Sequence, residues 1–165
     1  VTSLWPVELM AALGALARQH QASEMALLLS LFGLLLSRNF DQDDLLVGIP
    51  EAGRSGDLSV LQNIMGFFVN TLPIRLSFQH KAPTFGELLK RTQQTLFEAI
   101  DHSAIPFQHL VNEMRQHQEV DGNQLLQAFF QHVVAGQSHS PRKAAGMVLE
   151  HFDFEPHPAP AKFEA

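Results

Sequence analysis

The sequence predicts an α/β fold: a two-layer sandwich in which helices cover a mixed β-sheet. Three observations predict it. Apolar residues recur at helical spacing from Pro6 to Arg38 and again after Thr84. Short apolar runs bounded by Gly, Pro, Asp and Asn lie between and beyond those segments, as strands do. The resulting order is helix, helix, strand, strand, helix, helix, strand, strand, an interleaving that a mixed sheet accommodates.

Each element has a local reason. Pro6 suits the first turn of a helix, where its missing N–H costs nothing, and Leu9, Leu13, Leu16 and Ala17 follow on one side. Gln19-His20-Gln21 ends that segment. Ser23 caps a second helix running to about Arg38, which is apolar nearly all round and is therefore expected to be buried on most faces. Asn39 to Asp44 is a polar turn. Leu45 to Ile49 reads as a buried strand closed by Pro50, and residues 50–58 as a loop. Phe67 to Phe78 reads as a long strand, with Pro73 demanding an edge position or a bulge.

Thr84-Phe85-Gly86-Glu87 has the form of a capping box and opens a helix to about Asp101, with Leu88, Leu89, Leu96 and Ile100 on its apolar side. Ile105-Pro106 breaks it. A short helix follows, turning Phe107, Leu110, Val111 and Met114 inward. Phe129 to Val134 reads as a strand, residues 136–146 as a loop and Met147 to Phe154 as extended, before Pro156, Pro158 and Pro160 stiffen the tail.

Composition narrows the function. A length of 165 residues fits one ordinary domain, and no internal repeat or linker interrupts it. The net charge of −6 and the scatter of only 11 Lys and Arg argue against a nucleic-acid partner. The absence of Cys removes disulfides, thiolate metal sites and a Cys nucleophile, and agrees with a cytoplasmic protein. The longest apolar stretch, Met25 to Leu36, falls short of the roughly 20 residues that a helix needs to cross a bilayer, so no membrane partner is expected. The chain begins at Val1, not Met, and shows no signal peptide; it is expected to be a piece of a longer protein.

Self-contained chemistries find little support in the residues. Nine His invite a metal, yet none forms His-x-x-x-His with an adjacent Glu, so no metal site is expected. Gly-x-Ser-x-Gly is absent, and Gly53-Arg54-Ser55-Gly56 lacks the Lys-Ser/Thr of a phosphate loop. His117 and Asp121 spell His-x-x-x-Asp-Gly, but Gln116 precedes them and the segment reads as a polar loop between a helix and a strand. This pair reads as a decoy, not as a catalytic centre.

Four segments then carry a resemblance. Leu45 to Arg54 is LLVGIPEAGR, Ile64 to Arg75 is IMGFFVNTLPIR, Ala99 to Gln108 is AIDHSAIPFQ, and Ala161 to Glu164 is AKFE. In this order they resemble motifs of the condensation domains of non-ribosomal peptide synthetases: VGxPxAGR, IGxFVNTLPxR, HQDxPFE and AKFDL. His102, Pro106 and Phe107 match the third motif, whereas Ser103, Ala104 and Gln108 replace its Gln, Asp and Glu. Leu125 to Phe130 is only a poor match to NPLFQxxF. Phe-Val-Asn-Thr at 68–71 is similar to the peptide-forming class, not to cyclisation or epimerisation domains.

The resemblance implies an incomplete chloramphenicol acetyltransferase-like lobe, the C-terminal one, over residues 1–165. It implies amide-bond formation between carrier-bound acyl or peptidyl donors and aminoacyl acceptors. The partners implied are carrier proteins with their phosphopantetheine arms and an N-terminal lobe bearing the catalytic His-His-x-x-x-Asp-Gly, which this sequence lacks; no cofactor is expected to bind directly. Gly66, Phe68, Asn70 and Thr71 are implied as tunnel-wall and acceptor-side residues. In that reading Phe67 and Phe68 alternate across a strand, and Asn70 and Thr71 offer hydrogen bonds to a pantetheine arm or aminoacyl amide. Sheet packing explains the same four residues as well. Arg54, Arg75, His102, Pro106 and Phe107 are implied as structural. The alternative function is a carrier-docking or assembly module without catalysis.

Overall fold

Two helices lead into the sheet. The structure, a computed structural model, describes residues 5–54, 64–78, 84–117, 125–126, 128–132, 142–144 and 146–149. Helix α1 (Val7–Gln19) starts from Pro6, which stands at the N-cap, with its carbonyl accepting the Met10 N–H at 3.1 Å. Leu13, Leu16 and Ala17 turn into the core, while Leu9 stays exposed. Helix α2 (Glu24–Phe40) is capped as expected: Ser23 Oγ accepts the Ala26 N–H at 3.1 Å. Its burial is narrower than the sequence predicts. Ala26, Leu27, Leu29, Ser30 and Gly33 are buried, but Leu31, Leu35 and Phe40 are exposed. The sheet and the neighbouring helices cover one broad side of α2 and leave the other open.

Strand β1 (Asp44–Glu51) pairs antiparallel with β2 (Asn70–Ser77), from Asp44 opposite Ser77 to Glu51 opposite Asn70. On its other side β1 pairs parallel with the short β3 (Ala128–Phe129), giving a mixed sheet of order β2-β1-β3. Leu45, Val47 and Ile49 stand opposite Leu76, Ile74 and Leu72 on one face. Leu27 and Leu29 of α2 close over that face together with Leu89 and Leu96 of α3 (Phe85–Asp101). Burying an aliphatic side chain of this size contributes about 1.5–3 kcal/mol, so this face holds the two layers together. The buried hydroxyls of Ser30 and Thr92 donate to Ala26 O at 2.7 Å and Leu88 O at 3.1 Å, so neither is left unsatisfied. Helix α3 carries the predicted capping box, and α2 is tied to it where Ser23 N–H donates to Gln93 Oε1 at 2.7 Å.

The two prolines of the sheet shape its edges. Phe78 N–H points at β1, bonding Asp43 O at 2.7 Å. By antiparallel alternation, Leu76, Ile74 and Leu72 do the same, and the ring nitrogen of Pro73 points away. Among the described residues β2 is the edge of the three-stranded sheet, so Pro73 costs no ladder bond there and takes the expected edge position. Pro50 acts on one side only. Its missing N–H ends the parallel ladder to β3, whose last bond runs from Phe130 N–H to Gly48 O at 2.9 Å. Towards β2 the pairing continues to Glu51, one residue past the predicted stop.

Three further expectations need correction. Residues 67–69 are not strand: β2 begins only at Asn70, because contacts from Gly53 and Arg54 hold the preceding residues off the ladder. The strand expected over Phe129 to Val134 is confined to Ala128–Phe129, with Val133 and Val134 outside the described residues. Within the predicted loop 136–146, β4 (Arg142–Ala144) pairs with β5 (Met147–Leu149), because Gly146 takes a φ of +79° and folds the chain back. The extension expected beyond Leu149 and the proline tail lie outside the described residues, as does the AKFE segment. Helix α4 (Phe107–His117) follows Pro106 and buries Val111.

Candidate functional site

The β1–β2 ladder ends with Glu51 opposite Asn70, and the site is built where it stops. Past Glu51 the chain turns sharply. Gly53 adopts φ +66°, and its N–H donates to Glu51 Oε2 at 2.6 Å. A Cβ on Gly53 would overlap Phe68 O, so the turn of the first motif lies directly on the backbone of the second. Arg54 adds two more links: its guanidinium lies 4.5 Å from the centre of the Phe68 ring, and Nη2 donates to Gly66 O at 3.4 Å. A Cβ on Gly66 would press on the Phe68 ring at 2.8 Å. These contacts hold residues 66–69 across the end of β1 instead of alongside it, and this is why they leave the sheet. Phe68 is thereby half-buried, while Phe67 is 90% exposed and Met65 is 97% exposed.

Asn70 joins the third motif to the other two. Its Nδ2 donates to Ser103 O and to Ile105 O, each at 2.9 Å, and its Oδ1 accepts the Phe107 N–H at 3.0 Å and the Thr71 N–H at 2.9 Å. A side-chain amide has two N–H donors and two lone pairs, so its capacity is filled by the protein backbone. The segment held is the connection between α3 and α4. After Asp101 it turns through Ser103, whose N–H bonds Ile100 O, and Ile105, whose N–H bonds His102 O. Pro106 O then accepts the His109 N–H at 2.9 Å to open α4.

Between these walls lies a cavity of about 330 Å³. Glu51, Gly53, Phe67, Phe68, Val69 and Asn70 form one side, and Ser103, Ala104 and Pro106 the other. Among the described residues, Glu51 is the only ionisable one on this lining.

The remaining predicted residues sit elsewhere. Arg75, which is exposed, makes a two-pronged ion pair across the strands at the opposite end of the sheet, Nε to Asp44 Oδ1 at 2.8 Å and Nη2 to Asp44 Oδ2 at 2.6 Å. That hydrogen bonding holds the Asp44 carboxyl below the usual carboxylate range. His102 caps α3, with Nδ1 at 2.8 Å from Glu98 O. His117 is the last residue of α4, and Asp121 lies outside the described residues. Among the described residues no three His, Asp or Glu side chains gather as a metal site would require. No single described helix is long and apolar enough to cross a membrane.

Of the residues implied as tunnel wall, Phe68 and Asn70 line the cavity whereas Gly66 and Thr71 do not; sequence reasoning missed Glu51, Gly53, Val69, Ser103 and Ala104 as lining residues, and it missed the inward direction of Asn70's bonding. One signal was available: Asn is a poor strand former, and its place at the head of a strand points to a side chain with another task.

The Condensation domain family matches residues 1–164, and the chain belongs to that family. It is similar to two components of the linear gramicidin synthase of Brevibacillus parabrevis. One is 39% identical over 78% of this chain and 2% of its own length. The other is 34% identical over 95% of this chain and 3% of its own length. The chain thus spans only a small part of the curated relatives' length. Among solved structures it resembles the SgcC5 protein of Streptomyces globisporus, with a TM-score of 0.69 and 27% identity over 84% of this chain and 31% of that one.

Proposed function

We propose that this chain is the C-terminal-lobe part of a condensation domain that joins carrier-bound donor and acceptor through an amide bond, and that it supplies tunnel wall and acceptor-side surface. The meeting of three family motifs at one cavity carries this reading. In the reaction the acceptor amine attacks the donor thioester carbonyl. A C–N bond forms, the C–S bond breaks, and the amine proton leaves as the donor's pantetheine sulfur departs as thiol. The histidine that serves this step belongs to the His-His-x-x-x-Asp-Gly motif, which is not in this sequence. The phosphopantetheine arms are brought by carrier proteins as part of the substrates, in the cytoplasm. What this chain contributes is a rigid wall: Gly53, Arg54 and Phe68 on one side and the turn held by Asn70 on the other. His117 and Asp121 take no part.

Cysteine capture tests the wall. The chain has no Cys of its own, so Ala104→Cys introduces a single thiol at the cavity and Arg38→Cys one at the end of α2. Each is presented, with the rest of the domain, to a carrier protein whose pantetheine arm is activated as a pyridyl disulfide. Capture at Ala104→Cys is expected to be about tenfold faster or more, because docking raises the arm's local concentration there. Equal rates at the two positions would show that the arm does not reach this cavity.

A further inference from the structure

We infer that the cavity is a selective pocket for one uncharged, apolar amino-acid side chain, sized by Ser103 and Ala104, and that Asn70 is the positioning residue that keeps it open. The inference deepens the reading above and rests on it only for how the side chain is delivered.

Size comes first. Pockets that take a small ligand start at about 300 Å³, so a cavity of 330 Å³ is matched to one compact group. Chemistry comes second. Phe67, Phe68, Val69, Ala104 and Pro106 offer apolar surface. Among the described lining residues the ionisable side chain is the Glu51 carboxylate, which accepts the Gly53 N–H. A carboxylate in the wall repels an acidic side chain, and the apolar part of the wall favours an apolar one.

Position comes third. Ser103, Ala104 and Pro106 reach the pocket from a turn that Asn70 holds at three points: Ser103 O, Ile105 O and Phe107 N–H. The fourth bond of the amide, from the Thr71 N–H, fixes the side chain to the head of β2. With every donor and acceptor engaged, Asn70 acts on a ligand through the turn and not by touching it. A larger residue at Ala104 narrows the pocket without removing any of those bonds.

Two measurements on the chain test this, and neither needs turnover. The first is an NMR titration with N-acetyl-leucine amide, N-acetylglycine amide and N-acetylglutamate. The leucine probe is expected to give saturable shifts at the Val69 and Ala104 amides, with affinity at least about tenfold above the other two, and Ala104→Phe is expected to abolish them. Equal affinity for all three probes, or shifts that survive Ala104→Phe, overturns the pocket. The second is amide hydrogen exchange. In Asn70→Ala, exchange at Thr71 and Phe107 is expected to rise about fivefold or more relative to Ile74. Asn70→Asp, an isosteric variant that covers the case where the alanine variant does not fold, keeps the acceptor and loses both donors. It is expected to speed exchange at Ser103 and Ile105 while Phe107 stays protected. Unchanged exchange at these amides overturns the positioning role. Failure of the titration beside successful cysteine capture removes the pocket and leaves the proposed function standing; the reverse pattern removes the proposed function alone.

Discussion

At Gly53 a side chain has nowhere to go. The backbone is left-handed at φ +66°, and the space a Cβ needs is filled by Phe68 O. The left-handed conformation alone costs a non-glycine residue about 1–2 kcal/mol, and the contact with backbone adds to it because no rotamer change relieves it. Gly146 provides the control: its φ is +79°, yet nothing lies within 4 Å of its missing Cβ. Chemical denaturation should therefore show Gly53→Ala destabilised by more than Gly146→Ala, by about 1 kcal/mol or more. Equal losses would mean that the turn at Glu51–Arg54 does not lie against Phe68. Asn70 differs from Gly53 in how visible it is. Its partners in the third motif are 33 to 37 residues away in the chain, and no local pattern reports a contact of that range. The sequence shows an Asn at an unexpected place but not which backbone it serves.

Among the elements, α3 was the most legible, because a capping box is a local device. Thr84 Oγ1 accepts the Glu87 N–H at 3.4 Å, and Glu87 Oε2 accepts the Thr84 N–H at 2.8 Å. The Thr84 backbone bond, followed by the Thr84 hydroxyl, holds the Glu87 carboxyl below the usual carboxylate range. A carboxyl whose folded pKa is depressed stabilises the fold above its unfolded pKa, and the benefit disappears as pH falls through the folded value. Thermal melts should show wild type above Glu87→Ala at neutral pH, with the gap closing below the ordinary carboxylate range. A gap independent of pH would assign the effect to helix propensity instead. The strands were less legible, for two physical reasons. The apolar run 67–69 looks like strand, but contacts from Gly53 and Arg54 pull it off the ladder. Pro50 looks like a terminator, but a proline stops pairing only on the side its nitrogen faces, and that side depends on which neighbour lies where. Strand β5 falls within the extension expected from Met147, but β4 was hidden among turn-forming residues of the predicted loop 136–146.

For the whole molecule, helix and strand order and the mixed sheet were readable from periodicity. The family followed from motifs whose spacing the fold explains: the segments 45–54, 64–75 and 99–108 are remote in sequence and adjacent at the cavity. The proposed function belongs to an assembled domain, and the proposal has this wall facing a lobe that carries the catalytic histidine. Its decisive test mixes the chain with a separate chain bearing the His-His-x-x-x-Asp-Gly lobe, supplies carrier-bound donor and acceptor, and follows amide product by mass spectrometry. Product is expected from the mixture, none from either chain alone, and an unaltered yield when His117→Ala replaces the wild-type sequence. No product from a mixture that demonstrably associates, or product from this chain by itself, would contradict the proposal.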